Sequence, residues 1–453
     1  MDYFRLVNGE TVSFTYDNDG RLSSAGGLTI TRNNQNGFLT GAALGTITDS
    51  YLYSNFGETA AYSAKASGAS IFNVQYSRDA IGRIVTKTET IGGGAAGATT
   101  VYEYSYDVAG RLIEAKEGGV TVSTYDYDAN GNRITAVTRA GTFQGFYDLQ
   151  DRMTKYGDAD YTYTANGELL TKTDSAGVTT YNYDVFGNLR SVTLPDGTQI
   201  EYVIDANDRR VGKKLNGQLT QGFLYEGALN PVAELDGAGA LVSRFVYASK
   251  AHVPDYMTKG GMTYRIISDH LGSVRMVVNV GDGSIAQKID YDEFGNIVSD
   301  SNPGFQPFAF AGGIYDQHTK LTGFGARDYD AFTGRWTSKD PISFAGGDLN
   351  LYGYVLNDPV NWVDLTGYAK GGKQNISTAG LNKKSGVDEI QSAIKEAEKA
   401  GKIKHAKKLK GLLKVIKRGG ACGLAIGIIL DHLLEKQNTP FDDSLVNIYA
   451  ERG

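Results

Sequence analysis

Two short stretches hold the residues best suited to chemistry. "KDPISFAGG" puts Asp340 at the head of Asp-Pro-Ile-Ser-Phe, and "VDLTGY" puts Asp364 at the head of Asp-Leu-Thr-Gly-Tyr; residues 345–363, 19 of them, lie between the two motifs. Two carboxyl groups held together cannot both ionise, so one keeps a proton. Such a pair can take a proton from water and give one to a carbonyl oxygen, which is the chemistry of aspartyl hydrolysis. A plainer role competes with it. Asp-Pro and Asp-x-x-Gly begin turns in any fold, and on the residues alone the turn reading is the stronger. Asp348 in "GGDLN" and Asp358 in "NDP" are the other carboxylates of this segment and read as turn residues.

The pair stands at a seam. Residues 1–368 carry 29 Lys+Arg against 42 Asp+Glu, a net of −13, whereas 369–453 carry 16 against 9, a net of +7. An acidic body with a basic tail is the division expected between a scaffold and an effector.

The body that must position the aspartates is repetitive. "YSYDVAGRLIEA" (104–115) returns as "YDYDANGNRITAV" (125–137), "YTYTANGELLTKT" (161–173) and "YNYDVFGNLRSVT" (181–193), with further copies from residue 16 to residue 338. A unit of about 20 residues is too short for the helix pair of a common solenoid and suits a β-hairpin. Tyr-x-Tyr-Asp alternates as a strand with one buried face does. Asp-x-x-Gly is a turn in which the Asp caps and the Gly takes positive φ. One hairpin cannot bury its apolar face alone, so neighbouring copies must pair into a long sheet. Composition agrees: 58 Gly and 29 Tyr with only 8 Pro suit a sheet protein rich in tight turns.

Several classes are excluded or disfavoured. The single Cys422 rules out an internal disulfide framework. "MDYFRLVNGE" has no basic stretch followed by an apolar run, so no secretory signal is visible. The longest apolar run, "ACGLAIGIIL" (421–430), is too short to span a membrane. No metal or cofactor is required by these patterns.

The repeats, together with "DHLGSVR" (269–275), "YDEFGN" (291–296) and "GARDYDAFTGRWTSKDPISFAGGDLNLYGYVLNDPVNWVDLTG" (325–367), resemble the Rhs/YD-repeat family of bacterial polymorphic toxins over residues 1–368. Similar shells occur in Tc toxin complexes and in animal teneurins. The resemblance implies an all-β fold in which hairpins spiral into a YD-repeat shell or partial cocoon, followed by a small, mainly α tail. It divides the chain into a YD-repeat shell (1–263), a repeat-associated core (264–368) and a variable, basic C-terminal effector (369–453). A hollow shell would leave many of the Tyr side chains facing a cavity. In this family two Asp-Pro-x-Gly-Leu motifs end the core, and their aspartates cut the chain just after the second. The resemblance therefore implies catalytic Asp340 and Asp364, an assisting Arg335, and cleavage between Tyr368 and Ala369. The motifs depart from the family at Ser343, Phe344, Leu365 and Tyr368, while both aspartates and Gly367 are kept. It further implies a tail held by the shell, a cognate immunity protein, and export through a bacterial secretion apparatus, or a cytoplasmic location if the chain is an orphan fragment. A purely structural or adhesive surface protein is the rival reading.

Past a Gly- and Lys-rich linker (368–380), the pattern predicts helix over 385–418. Ile403, Ala406, Leu409, Leu413 and Ile416 form an apolar stripe, flanked by Lys404, Lys407, Lys408, Lys414 and Lys417. That charge suits phosphates of a nucleic acid, a membrane surface or plain solvent. His405, Asp431, His432 and Glu435 are the tail's candidates for a nuclease, and no recognised motif links them.

Overall fold

The computed structural model describes residues 3–7, 10–92 and 97–368. Among them there is no α-helix: 29 strands form one antiparallel sheet, four short strands form a second, and three single 3-10 turns complete the ordered elements. The helical expectation for 385–418, and with it Lys404, Lys407, Lys408, Lys414 and Lys417, lies outside the described residues, as does Ala369. The boundary expected at 263/264 falls inside the strand Met262–Ser268, so the sheet continues across it.

Each repeat forms its hairpin by the same few contacts. Asp107 follows the strand Ala98–Tyr106, and its Oδ1 accepts the backbone N–H of Ala109 and Arg111, each at 2.9 Å. Its Oδ2 accepts Arg111 Nε at 2.6 Å, and Gly110 closes the turn at φ 87°. A side chain at Gly110 would strain that left-handed backbone. The preceding Tyr ties the repeat to its neighbour: Tyr106 Oη donates to the carbonyl of Ile84 at 2.7 Å, and one repeat later Tyr127 Oη donates to Leu112 at 2.8 Å. The Arg111 guanidinium lies over the Tyr127 ring, 4.9 Å from its centroid. The Tyr-Asp pair thus has two jobs. Asp builds the turn, and Tyr satisfies a backbone carbonyl of the preceding hairpin. Where Arg is replaced, Asn132 and Asn188 donate to Asp128 and Asp184 instead.

The tyrosines expected to face a cavity are packed. Tyr51, Tyr62, Tyr76, Tyr104, Tyr125, Tyr161, Tyr181 and Tyr202 are all buried. Later segments of the chain cover several of them: Phe294 packs edge-on against Tyr125 at 4.9 Å, His270 sits 4.7 Å from Tyr76, and Tyr202 Oη donates to Asp316 Oδ2 at 2.8 Å. Buried ion pairs fasten the same surfaces. Arg265 bridges Asp49 and Asp255 (2.5 and 3.2 Å), all three almost without solvent exposure, and Arg275 grips both oxygens of Glu89 at 2.7 and 2.8 Å. Residues about 200 apart in sequence are thereby fixed, so the segment after 250 is anchored along the earlier wall.

The second sheet carries the site. Its strands Ile314–Tyr315, Thr322–Phe324, Arg327–Asp330 and Arg335–Trp336 pair in sequence order. Behind them Phe324, Tyr329, Trp336 and Tyr354 form a buried aromatic cluster, with Tyr329 and Tyr354 centroids 4.3 Å apart.

Candidate functional site

Both aspartates build their own turns, as the plainer reading requires. Asp340 Oδ1 accepts Ile342 N at 2.9 Å, and Asp364 Oδ1 accepts Gly367 N at 2.9 Å, Thr366 N at 3.2 Å and Thr366 Oγ1 at 3.1 Å. In each residue this uses one oxygen. The other turns inward to a shared partner: Arg327 Nη2 lies 3.1 Å from Asp340 Oδ2 and 3.2 Å from Asp364 Oδ2. Turn former and paired carboxylate are therefore two halves of the same side chain.

All three groups are buried, at 8% exposure for Asp340, 2% for Asp364 and 5% for Arg327. Burial lifts the Asp340 carboxyl above its ordinary range. Arg327 opposes the rise, and Asp364 and Asp348 add to it. Asp340 is thus disposed to hold a proton. Burial lowers Arg327 from its usual value while the two carboxylates support its charge. Its guanidinium stacks 4.2 Å over Trp336, and Nη1 donates to the carbonyl of Leu351 at 3.3 Å.

The residues just after Asp364 approach this pair closely. Ala326 N donates to Thr366 O at 2.9 Å, and Arg327 Nε donates to the carbonyl of Gly367 at 2.5 Å. Gly367 adopts φ 70°, and a Cβ there would fall 2.4 Å from Phe324 O and 2.8 Å from Arg327 N. Only glycine permits the docking. One residue on, the carbonyl oxygen of Tyr368 comes to the Asp340 side: a Cβ placed on Gly346 would lie 2.6 Å from Asp340 Oδ2 and 2.9 Å from Tyr368 O.

Arg335 is not at this pair. Its guanidinium donates to Asn132 Oδ1 at 2.8 Å and to the carbonyl of Asp151 at 2.5 Å, and lies over Tyr147 at 4.8 Å. It fastens the core to the repeat wall. The arginine between the carboxylates is Arg327, which the sequence analysis passed over. Its position in "GARDYD" carries no signal apart from lying on the strand opposite "GRW". Asp348 and Asp358 act as turn residues: Asp348 Oδ1 accepts Asn350 N at 2.9 Å, and Asp358 Oδ1 accepts Asn361 Nδ2 at 2.7 Å. Among the described residues no group of three or more His, Cys, Asp or Glu side chains could hold a metal ion.

A continuous sheet of Tyr-Asp hairpins, closed over a core that ends in a paired-aspartate seam, defines a YD-repeat shell. The chain belongs to the Teneurin YD-shell family, whose model matches residues 4–360. Teneurin-4 of Mus musculus is 30% identical over 301 residues, 64% of this chain and 10% of that protein. The tRNA3(Ser)-specific nuclease WapA of Bacillus spizizenii is 28% identical over 275 residues, 58% of this chain and 12% of that protein. The chain thus spans about a tenth of the length of these relatives. Among solved structures, the Photorhabdus luminescens Tc holotoxin pore superposes with a TM-score of 0.65 at 17% identity, covering 82% of this chain and 21% of that one. A TcdB2–TccC3–TEV structure gives 0.62 at 17% identity, covering 79% and 20%. These two establish the shared fold. Among the described residues, no helix is long and apolar enough to cross a membrane.

Proposed function

We propose that this chain forms an Rhs-type toxin shell that cuts off its own tail, residues 369–453, by aspartyl autoproteolysis between Tyr368 and Ala369. The observation that carries the reading is the convergence of Asp340 Oδ2 and Asp364 Oδ2 on one Arg327 nitrogen, with Asp340 Oδ2 and the Tyr368 carbonyl oxygen both within 3 Å of the Cβ position of Gly346. In the reaction, Asp364 takes a proton from a water molecule as its oxygen attacks the Tyr368 carbonyl carbon. Asp340, disposed by burial to be protonated, gives its proton to the carbonyl oxygen. Collapse of the tetrahedral species breaks the C–N bond: the nitrogen of Ala369 leaves with the proton Asp364 took from water, the hydroxyl proton returns to Asp340 as the carbonyl re-forms, and one water has been consumed. Arg327 keeps one net negative charge tolerable in a buried site and, through Nε on the Gly367 carbonyl, holds the adjacent peptide in place. A tethered substrate needs no binding pocket, since attachment already supplies a high effective concentration.

The freed tail is the effector, held by the shell until delivery. Its net charge of +10 over 370–418, and the nuclease named among the relatives, support nucleic acid as its target. A cognate immunity protein would protect the producing cell, and the toxin would act outside it after export. Intact mass of the wild-type chain, Asp340→Asn and Asp364→Asn tests the seam. The wild type is expected as two pieces, one of 85 residues, counting 369–453 inclusive, and each variant as one chain. A single wild-type chain would leave a purely structural shell; three chains cut alike would assign the cut to another protease.

A further inference from the structure

The residues roofing the paired aspartates are arranged so that one of them must lack a side chain. The 3-10 turn Ser343–Gly346 follows Asp340 directly. Residues 341–345 and Gly347 face solvent, while Gly346 is half-buried over the site. The two nearest atoms to a Cβ built on Gly346 are Asp340 Oδ2 at 2.6 Å and Tyr368 O at 2.9 Å. Contacts under 3.0 Å are essentially never made by real Cβ atoms, so one of the two oxygens would have to move. Asp340 Oδ2 is held by Arg327, and Tyr368 follows a segment fastened to residues 326 and 327, so neither moves freely.

This requirement differs from that at most glycines of the chain. Gly346 is not among the residues with positive φ, so its backbone would accept alanine. The demand here is for space, at a point flanked by the proposed acid and the proposed scissile carbonyl. The geometry points to Gly346 as a positioning residue of the seam reaction: its bare Cα is the gap that lets the Tyr368 carbonyl stand against Asp340. The inference rests on the autoproteolytic reading above and adds to it the residue that admits the substrate bond.

The test compares wild type, Gly346→Ala and Gly304→Ala as full-length chains, following the appearance of the 369–453 fragment by mass spectrometry across pH 4 to 9. Gly304 also lacks a Cβ, sits at φ 81° with nothing within 4 Å, and controls for generic damage by a glycine substitution. Gly346→Ala should slow cleavage at least tenfold. It should also move the pH midpoint of the remaining cleavage upward, because the methyl adds to the burial that already raises the Asp340 carboxyl against the opposing Arg327. Gly304→Ala should cut at the wild-type rate. A Gly346→Ala chain cut as fast as wild type overturns the inference and leaves the autoproteolytic reading standing. So does one slowed equally at every pH with its midpoint unmoved, which would mark a merely structural role. An uncut wild type overturns both.

Discussion

Replacing Arg327 with glutamine removes the single positive charge that two buried carboxylates share. Asp340 Oδ2 and Asp364 Oδ2 share the same Arg327 nitrogen at 3.1 and 3.2 Å. Breaking a buried pair by deleting one partner costs about 3–5 kcal/mol, because the remaining charge stays buried and uncompensated. The size of the effect should depend on pH, and its sign can be worked out. Burial holds Asp340 above its unfolded value, and Arg327 is the largest influence pulling it down, so the substitution raises it further. A carboxyl with a raised folded-state pKa contributes stability that is full below the unfolded value and is lost as pH rises through the folded one. Arg327→Gln should therefore be closest to wild type near pH 4, where the raised Asp340 carboxyl holds its proton, and fall furthest behind above pH 7. Denaturant unfolding of both chains at pH 4.5 and pH 7.5, in the Asp364→Asn background as well as alone, measures the difference. In that background one carboxylate is already neutral, so the pH-dependent part should shrink. A loss that is equal at both pH values, or below about 1 kcal/mol at pH 7.5, would refute the assignment of Arg327 as counter-charge.

Two further substitutions probe the scaffold. Arg265→Met should destabilise the chain by about 3–5 kcal/mol in denaturant unfolding, since Asp49 and Asp255 would remain buried without their shared cation; a loss under about 1 kcal/mol would mean that these surfaces are held by packing alone. Ser343 sits at φ 55°, a left-handed conformation that glycine adopts without penalty. Ser343→Gly should raise stability by roughly 1 kcal/mol and leave the cut position unchanged, and no gain would show that the serine is not strained.

The repeats, their hairpins and the turn chemistry of Asp-x-x-Gly were legible because they are local. A strand alternates with period two, an Asp caps the two N–H groups ahead of it, and these rules act within about five residues. The aspartate pair was legible as a pair from its spacing and from its likeness to a family. Burial of the tyrosines was not, because the covering groups, Phe294, His270 and Asp316, come from segments more than 100 residues away.

The choice of arginine shows where sequence stops. Arg335 stands five residues before Asp340 and was the natural partner. In the small sheet, Asp330 pairs with Arg335 and Tyr329 with Trp336. Successive side chains on a strand point to opposite faces, so Arg327, Tyr329 and Trp336 share one face and Arg335 takes the other. That single step of register sends Arg335 to Asn132 and Asp151 on the wall and leaves Arg327 between the aspartates. The chain by itself determined that there would be hairpins, a seam and two carboxylates near it. Which cation joins them, and that Gly346 leaves room for the Tyr368 carbonyl, was decided only by tertiary structure, because both depend on the register and docking of segments whose contacts no local rule dictates.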